Sequence, residues 1–208
     1  MNKHFIYNMF SKIPILETPR LTLRRLRVDD AGDMFEYACR EDVTRYLSWS
    51  VHPDRDYTRD YLAFVQRQYE EGEFYDWAVI DKAEMKMIGT CGFTSFDDEN
   101  NAGEIGYVLN PDYWGQGLMP EAAREVVRFG FQKLNLHRIY ARCMEENAQS
   151  RRVMEKCGLF YEGTHRSSLY IKGEYRTVCI YALLREDYER GVETGTEKTL
   201  FSSKIGRT

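Results

Sequence analysis

The sequence lacks several signatures, and each absence removes a class of protein. Its five cysteines, Cys39, Cys91, Cys143, Cys157 and Cys179, contain no Cys-x-x-Cys pair and no Cys/His grouping of zinc type. A structural zinc site and a disulfide framework are thereby excluded, and no metal is expected. The odd, scattered set reads as buried thiols in a reducing compartment. No apolar run approaches the length of a membrane span. The segment from Met1 to Ile13 is interrupted by Asn8 and followed by no small-residue cleavage site, so it fails as a signal peptide. A cytoplasmic protein without a membrane partner is expected. There is no excess of basic charge either: the net charge is -4, which argues against nucleic acid as the main partner, because that binding rests on neutralising phosphates. Internal repeats and a second-domain linker are also missing.

What is present fits one domain. In a chain of 208 residues, roughly 70% of the unfolded surface can be buried without a staple. Strand patterns alternate at Leu21–Arg24, Phe74–Ile80, Met87–Phe96, Gly103–Leu109 and His137–Cys143, and two long ones, Leu159–Ile171 and Glu174–Leu183, flank the Lys172-Gly173 turn. Helices are predicted after Asp29 or Asp30, over Tyr57–Gly72 with Tyr61, Leu62, Phe64, Val65 and Tyr69 inward, after Gly117, and over Ala148–Lys156. This order indicates an α/β (α+β) domain, a mixed sheet with helices on both faces. Residues 1–14 read as an N-terminal extension, 15–190 as the domain, and 191–208 as a polar, disordered tail.

The most informative stretch is Asn110-Pro111-Asp112-Tyr113-Trp114-Gly115-Gln116-Gly117-Leu118-Met119-Pro120-Glu121. Upstream the chain ends like a strand. Downstream Met119, Ala122, Ala123, Val126, Val127, Gly130, Phe131 and Leu134 follow helical spacing. Two glycines before a helix let backbone amides approach an anion, and the helix dipole favours one there. Pro120 suits the first helical turn, where its missing amide costs nothing. A glycine turn joining strand to helix explains the same spacing without a ligand. The dinucleotide fingerprint fails because Pro120 stands where its third glycine belongs, and no Gly-Lys-Ser/Thr ending occurs.

Three blocks then carry a resemblance: Glu104-Ile105-Gly106-Tyr107, the loop Tyr113 to Ala122, and Asn147-x-x-Ser150-x-x-Val153-Met154-Glu155-Lys156-Cys157-Gly158-Leu159. In this order and spacing the chain, from about Leu16 to Glu189, resembles the GNAT superfamily of acetyl-CoA-dependent N-acetyltransferases. It looks most like the branch of ribosomal-protein N-terminal alanine acetyltransferases. The resemblance implies a mostly antiparallel twisted sheet, acetyl-CoA as co-substrate, and direct attack by an amine, with Cys143 and Cys157 as packing residues. It implies contacts to acetyl-CoA from Val108, Leu109, Gly115, Gln116, Gly117, Leu118, Met119, Asn147, Ser150 and Arg152. It also implies a partner that supplies the amine, most readily the N-terminus of a ribosomal or other protein, and a homodimer is compatible with the long terminal strands.

By the same resemblance Glu104 is the candidate base, and an edge-strand carboxylate is its plain alternative. Where many relatives carry an acidic tyrosine, this chain has Met154, which leaves Ser150 as the polar candidate to meet the departing thiolate. Helix capping accounts equally for Asn147 and Ser150, and a solvated helix face for Arg151 and Arg152. The loop position often held by Arg or Gln is Asp112, so a phosphate would rely on backbone amides. Tyr46, Trp49 and His52 are the candidates to wall the acceptor cleft, with core packing as the competing explanation. The acidic cluster Asp97, Asp98 and Glu99 can attract a cationic amine by local potential, and a solvated hairpin is the plainer reading. Two other functions fit: acetylation of a polyamine or aminoglycoside-like amine, and a non-catalytic CoA-binding module.

Overall fold

The computed structural model describes residues 3–193. Eight strands form one sheet: β1 (Leu16–Glu17), β2 (Leu21–Arg24), β3 (Asp76–Asp81), β4 (Lys86–Asp97), β5 (Ala102–Leu109), β6 (Arg138–Met144), β7 (Phe160–Ile171) and β8 (Glu174–Leu184). Their order is β1-β2-β3-β4-β5-β6-β8-β7, and only β5 and β6 run parallel. The helices are α1 (Lys3–Phe10), α2 (Ala31–Ala38), α3 (Glu41–Thr44), α4 (Arg55–Glu70), α5 (Leu118–Gln132), α6 (Ala148–Lys156) and α7 (Arg185–Glu193).

Alternation along β3 shows how the faces are covered. Trp77 is fully buried and meets Phe10 of α1 and Phe129 of α5 edge-on, at 5.5 and 5.4 Å between ring centroids. Its indole donates to the Pro14 carbonyl at 2.7 Å. The neighbouring Asp76 points to the other face, where Tyr37 of α2 and Tyr61 of α4 lie near it. The apolar stripe of α5 is buried against the sheet, from Met119 through Val127 to Phe131.

Several expectations need correction. Residues 3–10, set apart as an extension, form a helix whose Phe10 enters the core. Gly191 to Glu193 belong to α7 rather than to a tail, while residues 194–208 lie outside the described residues. Asp30 stands at the N-cap of α2 but makes no cap bond, because its carboxylate takes the Arg24 guanidinium and the Arg27 amide. Phe64 is exposed on α4, and Cys39 is exposed while the other four cysteines are buried.

Candidate acyl-transfer cleft

The site starts from a fork in the sheet. β5 pairs with β4 along its whole length, from Ala102 to Leu109, but with β6 only from Ala102 to Glu104. From Ile105 onward β5 and β6 diverge, which leaves one edge of β5 without a strand partner. A bulge in β4 between Phe93 and Ser95 sits opposite this departure point and adds local bend. The fork opens into a cleft of about 520 Å³.

Its floor includes Ile105, Gly106, Tyr107, Val108 and Leu109 of β5, with Arg142 and Cys143 of β6. One wall is the loop ahead of α5, and the opposite one is α6. Val43, Tyr46 and Leu47 line the remaining side. The turn of the β7–β8 hairpin reaches that side, where the Lys172 ammonium donates to the Thr44 carbonyl at 2.7 Å.

The loop is built for an anion. Gly115 and Gly117 have φ of +78° and +75°, a region open to glycine at little cost. Gly117 caps α5, and among the described residues the amides of Gly117, Leu118 and Met119 meet no carbonyl. Those amides and the helix dipole suit a phosphate or pyrophosphate. Other residues hold the loop in place. Asn110 accepts from the Asp112 amide, and the Trp114 indole donates to the Leu109 carbonyl. Arg20 donates to the Gln116 carbonyl at 3.0 Å and to Glu121 at 2.7 Å. Glu121 also accepts from the Thr18 hydroxyl and the Arg20 amide. Burial alone would raise its carboxyl, but these hydrogen bonds outweigh burial and hold it below the usual range. Glu121→Gln is expected to loosen the loop and raise the Kd for acetyl-CoA about fivefold, about 1 kcal/mol, because a weakened Arg20 contact disorders the loop without removing a bond to the ligand. Calorimetric titration checks this, and an unchanged Kd would make Glu121 a stability residue only.

On α6, Asn147 caps the helix by accepting from the Ser150 amide at 3.1 Å, and its side chain also lines the cleft. Arg152 and Lys156, one turn apart, line the same wall. With Arg142 they are the charged side chains among the described residues that line the cleft, and none of these is a carboxylate. Asp112, the acid in the loop, is paired with Arg40 at 3.2 Å. The Gln116 side chain turns back to the Asp112 carbonyl.

Glu104 is buried beside the fork, with both carboxylate oxygens held by Arg142 at 2.8 and 2.7 Å. This bidentate pair engages one lone pair on each oxygen and fixes the orientation of the carboxylate. Ser150 lines the cleft, and its hydroxyl lies 2.9 Å from that of Tyr107. Burial pushes the thiols of Cys143 and Cys157 up, to about 11 and about 12, so neither is a ready thiolate.

The structure brings together most of the residues singled out in the sequence: Val108, Leu109, Gly115, Gly117, Leu118, Met119, Asn147, Ser150, Arg152 and Tyr46 line one cleft. Gln116, Glu104, Trp49 and His52 are not among its lining residues. His52 is buried, its Nδ1 lies 2.9 Å from the Thr58 hydroxyl, and its ring packs against Trp49, Tyr57 and Tyr61. Burial holds its imidazole below the usual value. Sequence reading passed over Lys156 and Tyr107. The spacing of four from Arg152 was the available signal for the first, and the position beside Glu104 and Gly106 for the second.

A family model described as an acetyltransferase (GNAT) domain matches residues 20–159. Among curated relatives, an uncharacterized N-acetyltransferase of Bacillus licheniformis is 34% identical, over 83% of this chain and 97% of its own length. The spermidine N(1)-acetyltransferase of Escherichia coli K12 is 26% identical, covering 80% and 87%. Among solved structures, a GNAT-family acetyltransferase of Bacillus anthracis superposes with a TM-score of 0.75 at 31% identity, covering 83% and 99%. The ribosomal-protein-S5-alanine acetyltransferase of Vibrio fischeri gives 0.72 at 24% identity, covering 84% and 98%, and shares the fold.

Proposed function

The chain belongs to the GNAT family of acetyltransferases, and on that premise we propose that it moves an acetyl group from acetyl-CoA to the α-amine at a protein or peptide N-terminus. Acetyl-CoA supplies an activated thioester. The loop amides of Gly117, Leu118 and Met119, with Arg152 and Lys156 beside them, bind the phosphates, and the free edge of β5 together with Asn147 receives the amide-bearing arm. Ser150 faces the reacting end.

The observation that carries the choice of acceptor is the charge of the cleft. Among the described residues its charged lining is Arg142, Arg152 and Lys156, with no carboxylate, and Glu104 is paired with Arg142. Among the described residues a strongly basic amine would find no lining carboxylate as a counter-ion. An α-amine is already roughly 10 to 15% neutral at pH 7, against roughly 0.04% for a lysine-like amine, so it depends least on a base. An N-terminus of a ribosomal protein fits this reading, as does a cytoplasmic location in view of four buried, unbridged cysteines. The exposed Phe160, Tyr161 and Tyr170 on edge strand β7 support a homodimer. A polyamine acceptor is the second reading, favoured by the spermidine-acetylating relative and opposed by the lack of a carboxylate among the described lining residues.

Acceptor competition tests the proposal. With an alanine-starting peptide and spermidine in one reaction, mass spectrometry is expected to place acetyl on the peptide α-amine. The kcat/KM should favour the peptide by about 100-fold, rise through about pH 8 and level off above about pH 9, where the α-amine is neutral. Preference for spermidine would overturn the α-amine assignment and leave the acetyl transfer.

A further inference from the structure

Tyr107 reaches the cleft from β5, and its hydroxyl has two partners on one residue of α6: the Ser150 hydroxyl at 2.9 Å and the Ser150 carbonyl at 3.0 Å. A phenol carries one proton, so only one of these oxygens receives it at a time. When it goes to the carbonyl, the serine proton can point to the phenol oxygen. When it goes to the serine oxygen, the serine proton is released to point into the cleft. Both states use the same heavy-atom positions.

We propose that Tyr107 is a positioning residue for acetyl transfer, one whose hydroxyl supports Ser150 as the hydrogen-bond donor to the departing sulfur. The inference rests on the acetyl-transfer reading and adds a residue to it. As the amine nitrogen bonds to the acetyl carbon, the carbon–sulfur bond breaks and its electron pair stays on sulfur. The amine's proton passes to solvent. The Tyr107 proton swings from the Ser150 carbonyl to the Ser150 oxygen, and the Ser150 proton turns to sulfur. Neither hydroxyl ionises, so a hydrogen bond rather than a proton is delivered. This suits the chemistry of both partners. Burial, against a smaller opposing effect of the Ser150 hydrogen bond, pushes the Tyr107 phenol well above its usual value. A thiol of pKa about 8.5 leaves readily as a thiolate when its charge is met.

Other groups around the cleft are less suited to the task. Met154 is buried and carries no proton to give. The Tyr113 hydroxyl is committed to Glu84. Cys143, which lines the same cleft, is a weak donor whose thiol burial has already pushed to about 11.

The test separates the sulfur from the rest of the ligand. Binding of CoA and of desulfo-CoA, which lacks the thiol, is measured by calorimetry from about pH 6 to about pH 10, across the thiol's ionisation. The intact protein should prefer CoA increasingly as the thiolate forms. Tyr107→Phe and Ser150→Ala should each lose about tenfold to hundredfold of that high-pH preference, keep the affinity for desulfo-CoA, and lower kcat with little change in the KM for acetyl-CoA. A Tyr107→Phe preference that follows the intact protein across pH would overturn the inference. So would a parallel loss of desulfo-CoA affinity, which would make Tyr107 a packing residue. If the intact protein binds neither ligand, the acetyl-transfer reading itself fails.

Discussion

Valine at Gly117 is expected to abolish measurable acetyl-CoA binding, raising Kd by more than about 100-fold, with the far-UV circular dichroism unchanged. The cause is conformational. Gly117 has a φ of +75°, and a Cβ placed there meets nothing nearer than the Arg20 guanidinium at 3.8 Å, so the fold has room for the side chain. The backbone does not accept it: a left-handed residue costs about 1–2 kcal/mol, and more when β-branched. The loop would relax toward negative φ and turn the Gly117, Leu118 and Met119 amides away from a common target. Each charge-assisted bond lost to a phosphate removes about 1.5–3 kcal/mol. Gly117→Ala should lie between the two. An unchanged Kd for Gly117→Val would remove the loop from the binding site.

Asparagine at Asp76 is expected to stabilise the protein at pH 8 by about 2–4 kcal/mol and to leave its stability at pH 4 nearly unchanged. Burial raises the Asp76 carboxyl to about 7, partly countered by the Thr90 hydroxyl and the Trp77 amide. Around it lie Tyr37, Tyr61 and Cys91, and the Tyr69 hydroxyl donates to its carbonyl. No cation is among these groups. The Tyr37 hydroxyl is itself buried and meets no hydrogen-bond partner among the described residues. Because the folded pKa lies above the unfolded value of about 3.9, the protonated carboxyl gives its full contribution below pH 4. That contribution is lost as pH rises through 7. Three units correspond to about 4 kcal/mol, and the partial opening of Asp76 to solvent favours the lower end of the range. Urea melts of both proteins at the two pH values check this. Parallel pH dependence in both would contradict it.

Much of this was legible because it is local. The period of α5, the two glycines ahead of it and the Asn147–Lys156 helix are written in neighbouring residues, and the structure places them where their patterns require. The short helices α1, α3 and α7 were not legible: eight, four and nine residues give too few turns for a period to emerge, whereas α2 and α6, of eight and nine, are announced by Asp30 and Asn147 ahead of them. Phe10 looked like part of a loose extension because its partners, Tyr75 and Trp77, lie more than sixty residues away. The fork between β5 and β6 is a property of strand pairing and has no sequence pattern of its own. Its most consequential contact, Arg142 on Glu104, spans 38 residues, and the Tyr107–Ser150 pair spans 43. His52 shows the opposite error. It was adjacent to suitable aromatics in the chain, yet Thr58 one helical turn into α4 fixes its ring in the core.

Thiol release from acetyl-CoA in the presence of an alanine-starting peptide, run beside the same peptide with its α-amine blocked, tests the central claim most directly. Release with the free terminus alone is the predicted result. Equal release with both peptides, or none with either, would contradict acetyl transfer to an N-terminal α-amine.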